Sequence, residues 1–199
     1  MKKLSFKNLA LLCTMFLTIS ITGNKVFAQT IFQSHAMDIR LTGTSTLHDW
    51  EMKAAKGTSE AIFVLDAAGN PTSISKLSFT LPATNLKSEH SMMDKNTYKA
   101  LNTEKNPNIS FVLTSGTVTP TGGNNYQLNC FGRLTIAGTV KETDLIATGK
   151  YNPADKSFTV TGVKKMKMTD YNVKPPTVML GTIKTGNDIA IAYNLKFIR

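Results

Sequence analysis

From Tyr126 to Ile136 the chain alternates with a period of two. Tyr126, Leu128, Cys130, Gly132, Leu134 and Ile136 fall on one face. Gln127, Asn129, Arg133 and Thr135 take the other, with Phe131 the exception. Successive side chains of an extended chain point to opposite faces, so this pattern specifies a strand with one dry side and one wet side. Ile189, Ile191, Tyr193, Leu195 and Phe197 repeat it near the C-terminus, opposed by Ala190, Ala192, Asn194 and Lys196. Leu77, Phe79 and Leu81 do the same, as do Ile109, Phe111 and Leu113. Further strands are expected at about 31–41, 46–54, 58–65, 143–151 and 157–168. Turn chemistry separates many of them: Gly69-Asn70-Pro71, Thr121-Gly122-Gly123-Asn124, Asn152-Pro153 and Gly186-Asn187-Asp188. The class is all-β, an antiparallel meander. A sandwich and a barrel both fit this pattern. Closing the sheet removes its edges, and about eight strands enclose room for side chains or one small ligand, so an up-and-down barrel is favoured.

Two stretches interrupt the alternation. Residues 84–107 contain Ser91-Met92-Met93-Asp94, with the spacing of a capping box, and predict one short helix through Leu101 stopped by Pro107. Residues 169–187 contain Pro175-Pro176 and are too irregular for a strand. Insertions of this length either cover a functional opening or plug a barrel end.

The first residues bear on destination. Lys2, Lys3 and Lys7 precede a mostly apolar run from Leu9 to Ile21, and Val26-Phe27-Ala28 offers small residues at a cleavage site. Residues 1–28 read as a secretory signal peptide, the mature chain beginning at Gln29 as one periplasmic or secreted domain, 29–199. The run is shorter than the roughly 20 apolar residues of a membrane-spanning helix, and no later run reaches that length. Removing four lysines lowers the formal charge from +10 to +6. Only Cys130 then remains, so no intramolecular disulfide can form. The lysines form no continuous basic stripe, which argues against a nucleic-acid partner. A homodimer is compatible with the sequence.

The only tryptophan, Trp50, follows a His-Asp pair in TSTLHDW. On a strand over 46–54, His48 shares a face with Trp50 and Met52 while Asp49 points away, so the two cannot form a catalytic hydrogen bond. His48 reads as a lumen histidine held by one or two hydrogen bonds. His35, His48 and His90 lack metal-site spacing, although His35 and His48 would share a lumen across a hairpin closing at Gly43; simple register puts His35 opposite Met52 instead. There is no nucleophile elbow, zincin motif or phosphate-cradling loop, and Cys130 lies in an apolar stripe. No catalytic residues, metal or cofactor are expected.

The runs GTSTLHDW (43–50), MMDKNTYKALNTEKNPNISF (92–111), GRLTIAGTVKE (132–142) and KMTDYNVKPPTVMLGTIKTGNDIAIAYNLKF (167–197) resemble the YceI-like family of exported polyisoprenoid-binding proteins. The resemblance spans nearly all of the expected mature chain in family order. It implies a lipocalin-like barrel with an apolar tunnel for an isoprenoid chain and no catalytic residues. Alternation supplies the inward set independently. It contains Met37 and Ile39, Trp50 and Met52, Phe79, Phe111, then Leu128 and Leu134 flanking Cys130, and finally Phe158, Tyr193, Leu195 and Phe197. Lys164 falls on the inward face with Phe158 and Val160, placed for a phosphate head group at the tunnel mouth or for the barrel rim. The expected ligand is an isoprenoid quinone, a polyprenyl species or another long-chain lipid, carried or sequestered in the cell envelope. The alternative is a filled-core barrel acting as a structural, interaction or stress-protective protein.

Overall fold

The computed structural model describes residues 28–199, apart from the side chains of His35 and Ala36. The expected signal peptide, up to residue 27, lies outside them. Nine antiparallel strands follow in order: β1 Ala28–Ser45, β2 Trp50–Leu65, β3 Pro71–Pro82, β4 Asn108–Gly122, β5 Asn125–Ile136, β6 Thr139–Asn152, β7 Ser157–Lys167, β8 Thr177–Val178 and β9 Ile183–Phe197. Sequential neighbours pair from β1 to β7, β7 pairs with β9, and β9 returns to β1. Eight strands thus close into the up-and-down barrel that the alternation implies, and the two-residue β8 lies on β9 at its rim. β5 shows the physical reason most clearly: from Tyr126 to Ile136 every inward residue is buried and every outward one is not.

Several local expectations need correction. The candidate strands 46–54 and 58–65 are one strand, β2, which passes straight through Gly57. That glycine permits close approach rather than a turn, since a Cβ there would meet the Thr80 carbonyl oxygen at 2.8 Å. Residues 46–49 form the β1–β2 turn, so His48 is not on a strand at all. Thr44 and Ser45 belong to β1, and Gly43 pairs with Trp50. Met52 pairs with Leu41 rather than His35, because the chain turns at residues 46–49 and not at Gly43. Gly186-Asn187-Asp188 is an irregularity within β9, where Gly43 pairs with Ile189 but Ser45 with Thr185. Gly123-Asn124 does make the expected turn, both residues having positive φ.

Among the described residues the single α-helix, α1, spans Ser91–Leu101. Its cap is not the expected box. Asp94 reaches back to accept hydrogen bonds from the Ser88 N–H at 2.7 Å and the Ser88 hydroxyl at 2.8 Å. Burial pushes the Asp94 carboxyl up, but these donors and Lys87 outweigh it and hold it below its ordinary value. The helix ends at Asn102, in the left-handed conformation with φ 51°, five residues before Pro107. Residues 169–187 form short 3-10 turns around β8 and then enter β9.

Candidate functional site

The two ends of the barrel differ. At one end, Phe158 is the hub of an aromatic cluster. Its ring lies 4.9 Å from Phe63, 5.7 Å from Tyr126 and 6.5 Å from Tyr151, and Phe32 stands edge-on to Phe63 at 5.4 Å. Phe32, Phe63 and Phe158 are essentially inaccessible to solvent. Interdigitated aromatic rings fill space densely, so this end is a floor.

Above the floor lies a cavity of about 540 Å³. Its walls carry most of the expected inward set: Ile39, Trp50, Met52, Phe79, Phe111, Leu128, Cys130, Leu134, Tyr193, Leu195 and Phe197, together with His48 and Lys164 near the opening. Two expected lining residues belong elsewhere. Phe158 is spent in the floor, and Met37 packs near Gly57, outside the cavity lining. Alternation identifies which face a residue presents but not its height along the barrel axis, and these two lie beyond the cavity's extent.

The cavity roof comes from the two interruptions and the β1–β2 turn. α1 contributes Met93, Asn96, Thr97 and Ala100, and the segment after β7 contributes Met168, Tyr171, Val173 and Val178. Thr97 contacts Met52 through a hydroxyl–sulfur hydrogen bond of 3.3 Å. The Tyr98 hydroxyl donates to the Thr84 and Leu86 carbonyls at 2.9 and 2.8 Å, tying α1 to the rim. The lining of α1 was readable from the i, i+3, i+4 spacing of Met93, Asn96, Thr97 and Ala100. The segment after β7 carries no period at all.

The turn explains TSTLHDW. Ser45 donates from its hydroxyl to the His48 carbonyl at 2.7 Å and accepts from the Leu47 and His48 N–H groups. The Trp50 ring lies flat over Gly43, where any Cβ would collide with it, and its Nε1–H donates to the Thr44 carbonyl at 2.9 Å. His48 is exposed, and its Nδ1 lies 2.6 Å from the Asp49 carbonyl oxygen, so that nitrogen carries the proton. The histidine is a turn residue at the mouth. It does not reach the Asp49 carboxylate.

One wall is incomplete. β6 pairs with β5 from Asn125–Lys150 to Ile136–Thr139, yet with β7 only from Asn152–Ser157 to Ala147–Gly162. Beyond that point the β6 and β7 ladders part toward the mouth, and side chains bridge the gap. The Tyr193 ring crosses over Gly162, and its hydroxyl donates to the Ile146 carbonyl at 3.3 Å. Lys164 Nζ donates to the Asp144 carbonyl at 2.8 Å and its carboxylate at 3.2 Å. Asn172 Nδ2 donates to Thr139 Oγ1 at 3.1 Å. Lys164 is thus half-buried beside the cavity with its charge met by Asp144.

The lumen is chemically quiet. Burial pushes the Cys130 thiol up to about 11, so it stays neutral and un-nucleophilic near neutral pH. Burial, with Cys130 beside it, pushes the Tyr193 hydroxyl up to about 12. Among the described residues no three acidic, histidine or cysteine side chains converge as a metal set, and no helix is long and apolar enough to cross a membrane.

The profile of the YceI-like domain matches residues 30–197. No curated protein matches. Among solved structures, BcnA of Burkholderia cenocepacia superposes with a TM-score of 0.59 at 20% identity, covering 79% of this chain and 95% of its own. A polyisoprenoid binding domain from Saccharophagus degradans, implicated in plant cell wall breakdown, gives 0.60 at 9% identity over 87% and 99%. The YceI protein of Campylobacter jejuni gives 0.52 at 14% identity over 100% and 99%. At these identities the likeness is one of fold.

Proposed function

Since the chain belongs to the YceI-like family, we propose that its lumen binds a long apolar-chain lipid, an isoprenoid quinone or polyprenyl species, as a carrier or sequestering protein of the cell envelope. The observation that carries this reading is the floored, carbon-lined cavity of about 540 Å³, within the volume range of small-molecule sites. A polyisoprenoid binding domain with the same fold supports the ligand class. Export rests on the signal-like residues 1–28. The inert thiol and the turn-bound histidine support binding without turnover.

Magnitude sets the ligand's size. Burying a methylene contributes about 0.8 kcal/mol, so one five-carbon isoprene unit contributes about 4 kcal/mol. Association and chain ordering cost roughly 4–15 kcal/mol, so two or three units do little more than offset them. Longer chains bind. Solvent extraction of protein purified from cells, followed by mass spectrometry, should recover such a chain in near-stoichiometric amount. Wild-type protein that yields none, even after incubation with a polyprenol, refutes the reading in favour of the filled barrel.

A further inference from the structure

The four most exposed large apolar side chains among the described residues are Leu180, Met179, Leu47 and Met92, at 110%, 72%, 66% and 64% relative accessibility. All four gather at one place. Leu47, Met92 and Met179 edge the cavity opening, and Leu180 follows Met179 at the tip of the segment between β8 and β9. They come from three separate parts of the chain: the β1–β2 turn, α1, and this tip. A lone exposed leucine is ordinary, whereas apolar residues converging on one rim mark an interaction site. Met179 and Leu180 also sit at φ 51° and 55°, a backbone region disfavoured for bulky side chains.

Within α1 and the tip segment the exposed charges have one sign. On α1 the exposed charges are Lys95 and Lys99, three and seven residues after Met92 and so near the same face. The acid of α1, Asp94, is turned inward onto Ser88. Residues 172–184 add Lys174 and Lys184, both exposed, and no acid. Exposed acids flank the patch, Asp49 and Glu89 on the adjoining turns, Glu51 at the start of β2, Asp144 on β6 and Asp188 in β9. The lysine excess therefore belongs to α1 and to residues 172–184. Apolar side chains with lysines on the same elements are a composition that binds an anionic bilayer interface, the apolar groups entering the acyl boundary and the ammonium groups meeting the headgroups.

We propose that the open end of the barrel docks on an anionic lipid bilayer through Leu47, Met92, Met179 and Leu180, with Lys95, Lys99, Lys174 and Lys184 against the headgroups. Docked in this way, the mouth faces the membrane, and an apolar chain passes between bilayer and lumen without crossing water. The surface stands independently of what the lumen holds.

Vesicle co-sedimentation tests it, with phosphatidylcholine vesicles and vesicles containing phosphatidylglycerol. The protein should pellet with the anionic vesicles and less so as salt rises. Met179→Asn with Leu180→Asn suits the left-handed backbone while removing the apolar tip, and should weaken binding by about tenfold or more. Met92→Gln provides a second, structurally separate probe. Replacing the four lysines by glutamine should abolish the preference for phosphatidylglycerol. Wild-type protein that stays in the supernatant, or tip and helix variants that pellet like wild type, would overturn the proposal. So would a wild-type dimer that the tip variant splits without any vesicle binding, which would assign the patch to a second copy. Extraction of bound lipid from the same preparations reads the lumen separately: cargo without vesicle binding refutes docking alone, and vesicle binding without cargo refutes the lumen reading alone.

Discussion

Cys130→Phe separates a lumen that holds a ligand from one that is merely a loosely packed core. Cys130 sits mid-strand in β5, buried, between Leu128 and Gly132 on the inward face and opposite Leu145 of β6. It lines the cavity directly. Phenylalanine adds about five non-hydrogen atoms, roughly one isoprene unit, so it displaces about 4 kcal/mol of ligand burial at 0.8 kcal/mol per methylene. That is close to a thousandfold loss of affinity. In a close-packed core the same substitution costs about 1–3 kcal/mol of stability, because the extra atoms force rotamers and backbone aside. A cavity of about 540 Å³ accommodates the ring instead. Chemical denaturation followed by Trp50 emission gives the stability, and extraction with mass spectrometry gives the bound lipid. The expected result is a variant of near-wild-type stability that carries little or no lipid. A variant that is folded and still carries the wild-type amount would place the ligand outside the lumen. One destabilised by the full overpacking cost, from a lipid-free parent, would show that there is no usable cavity.

Three further outcomes follow from local geometry. Tyr193→Phe and Lys164→Met each free a carbonyl where the β6 and β7 ladders part, and each should cost about 1 kcal/mol, with amide exchange rising over 139–146 more than over 147–152; equal protection along the whole of β6 would show that the two side chains do not brace the gap. Asp155 is held near 2, below its ordinary 3.8, first by Ser157 and then by Lys196. Its folded value being depressed, the stabilisation is present above the ordinary value and fades as pH falls toward 2, so Asp155→Asn should melt below wild type at pH 7 and alike near pH 2; a gap that persists in acid would exclude this origin. His48→Ala should change stability by less than about 0.5 kcal/mol, since the ring is exposed and bonds only its neighbour's carbonyl; a loss of 2 kcal/mol in urea melts would mean that the ring packs against the rim.

The strand class, the meander and most of the lining are legible in local pattern alone. Alternation is local: each of Leu128, Cys130 and Leu134 declares its face through its immediate neighbours, and Gly123-Asn124 declares its turn through backbone preference alone. Features that depend on a partner distant in sequence emerge only from the closed barrel. Gly57 reads as a break until Thr80 is beside it, and only then is it the residue that lets β2 continue. The strand that His48 was expected to share with Trp50 begins two residues later, because Gly43 pairs with Trp50 and the chain must turn before it. Phe158 and Leu128 carry the same inward signature, yet one makes the floor and the other the wall, since height along the barrel comes from register with neighbouring strands. The rim that gathers Leu47, Met92, Met179 and Leu180 has no sequence signature, because its parts come from three segments far apart in the chain and meet only when the sheet closes β9 onto β1.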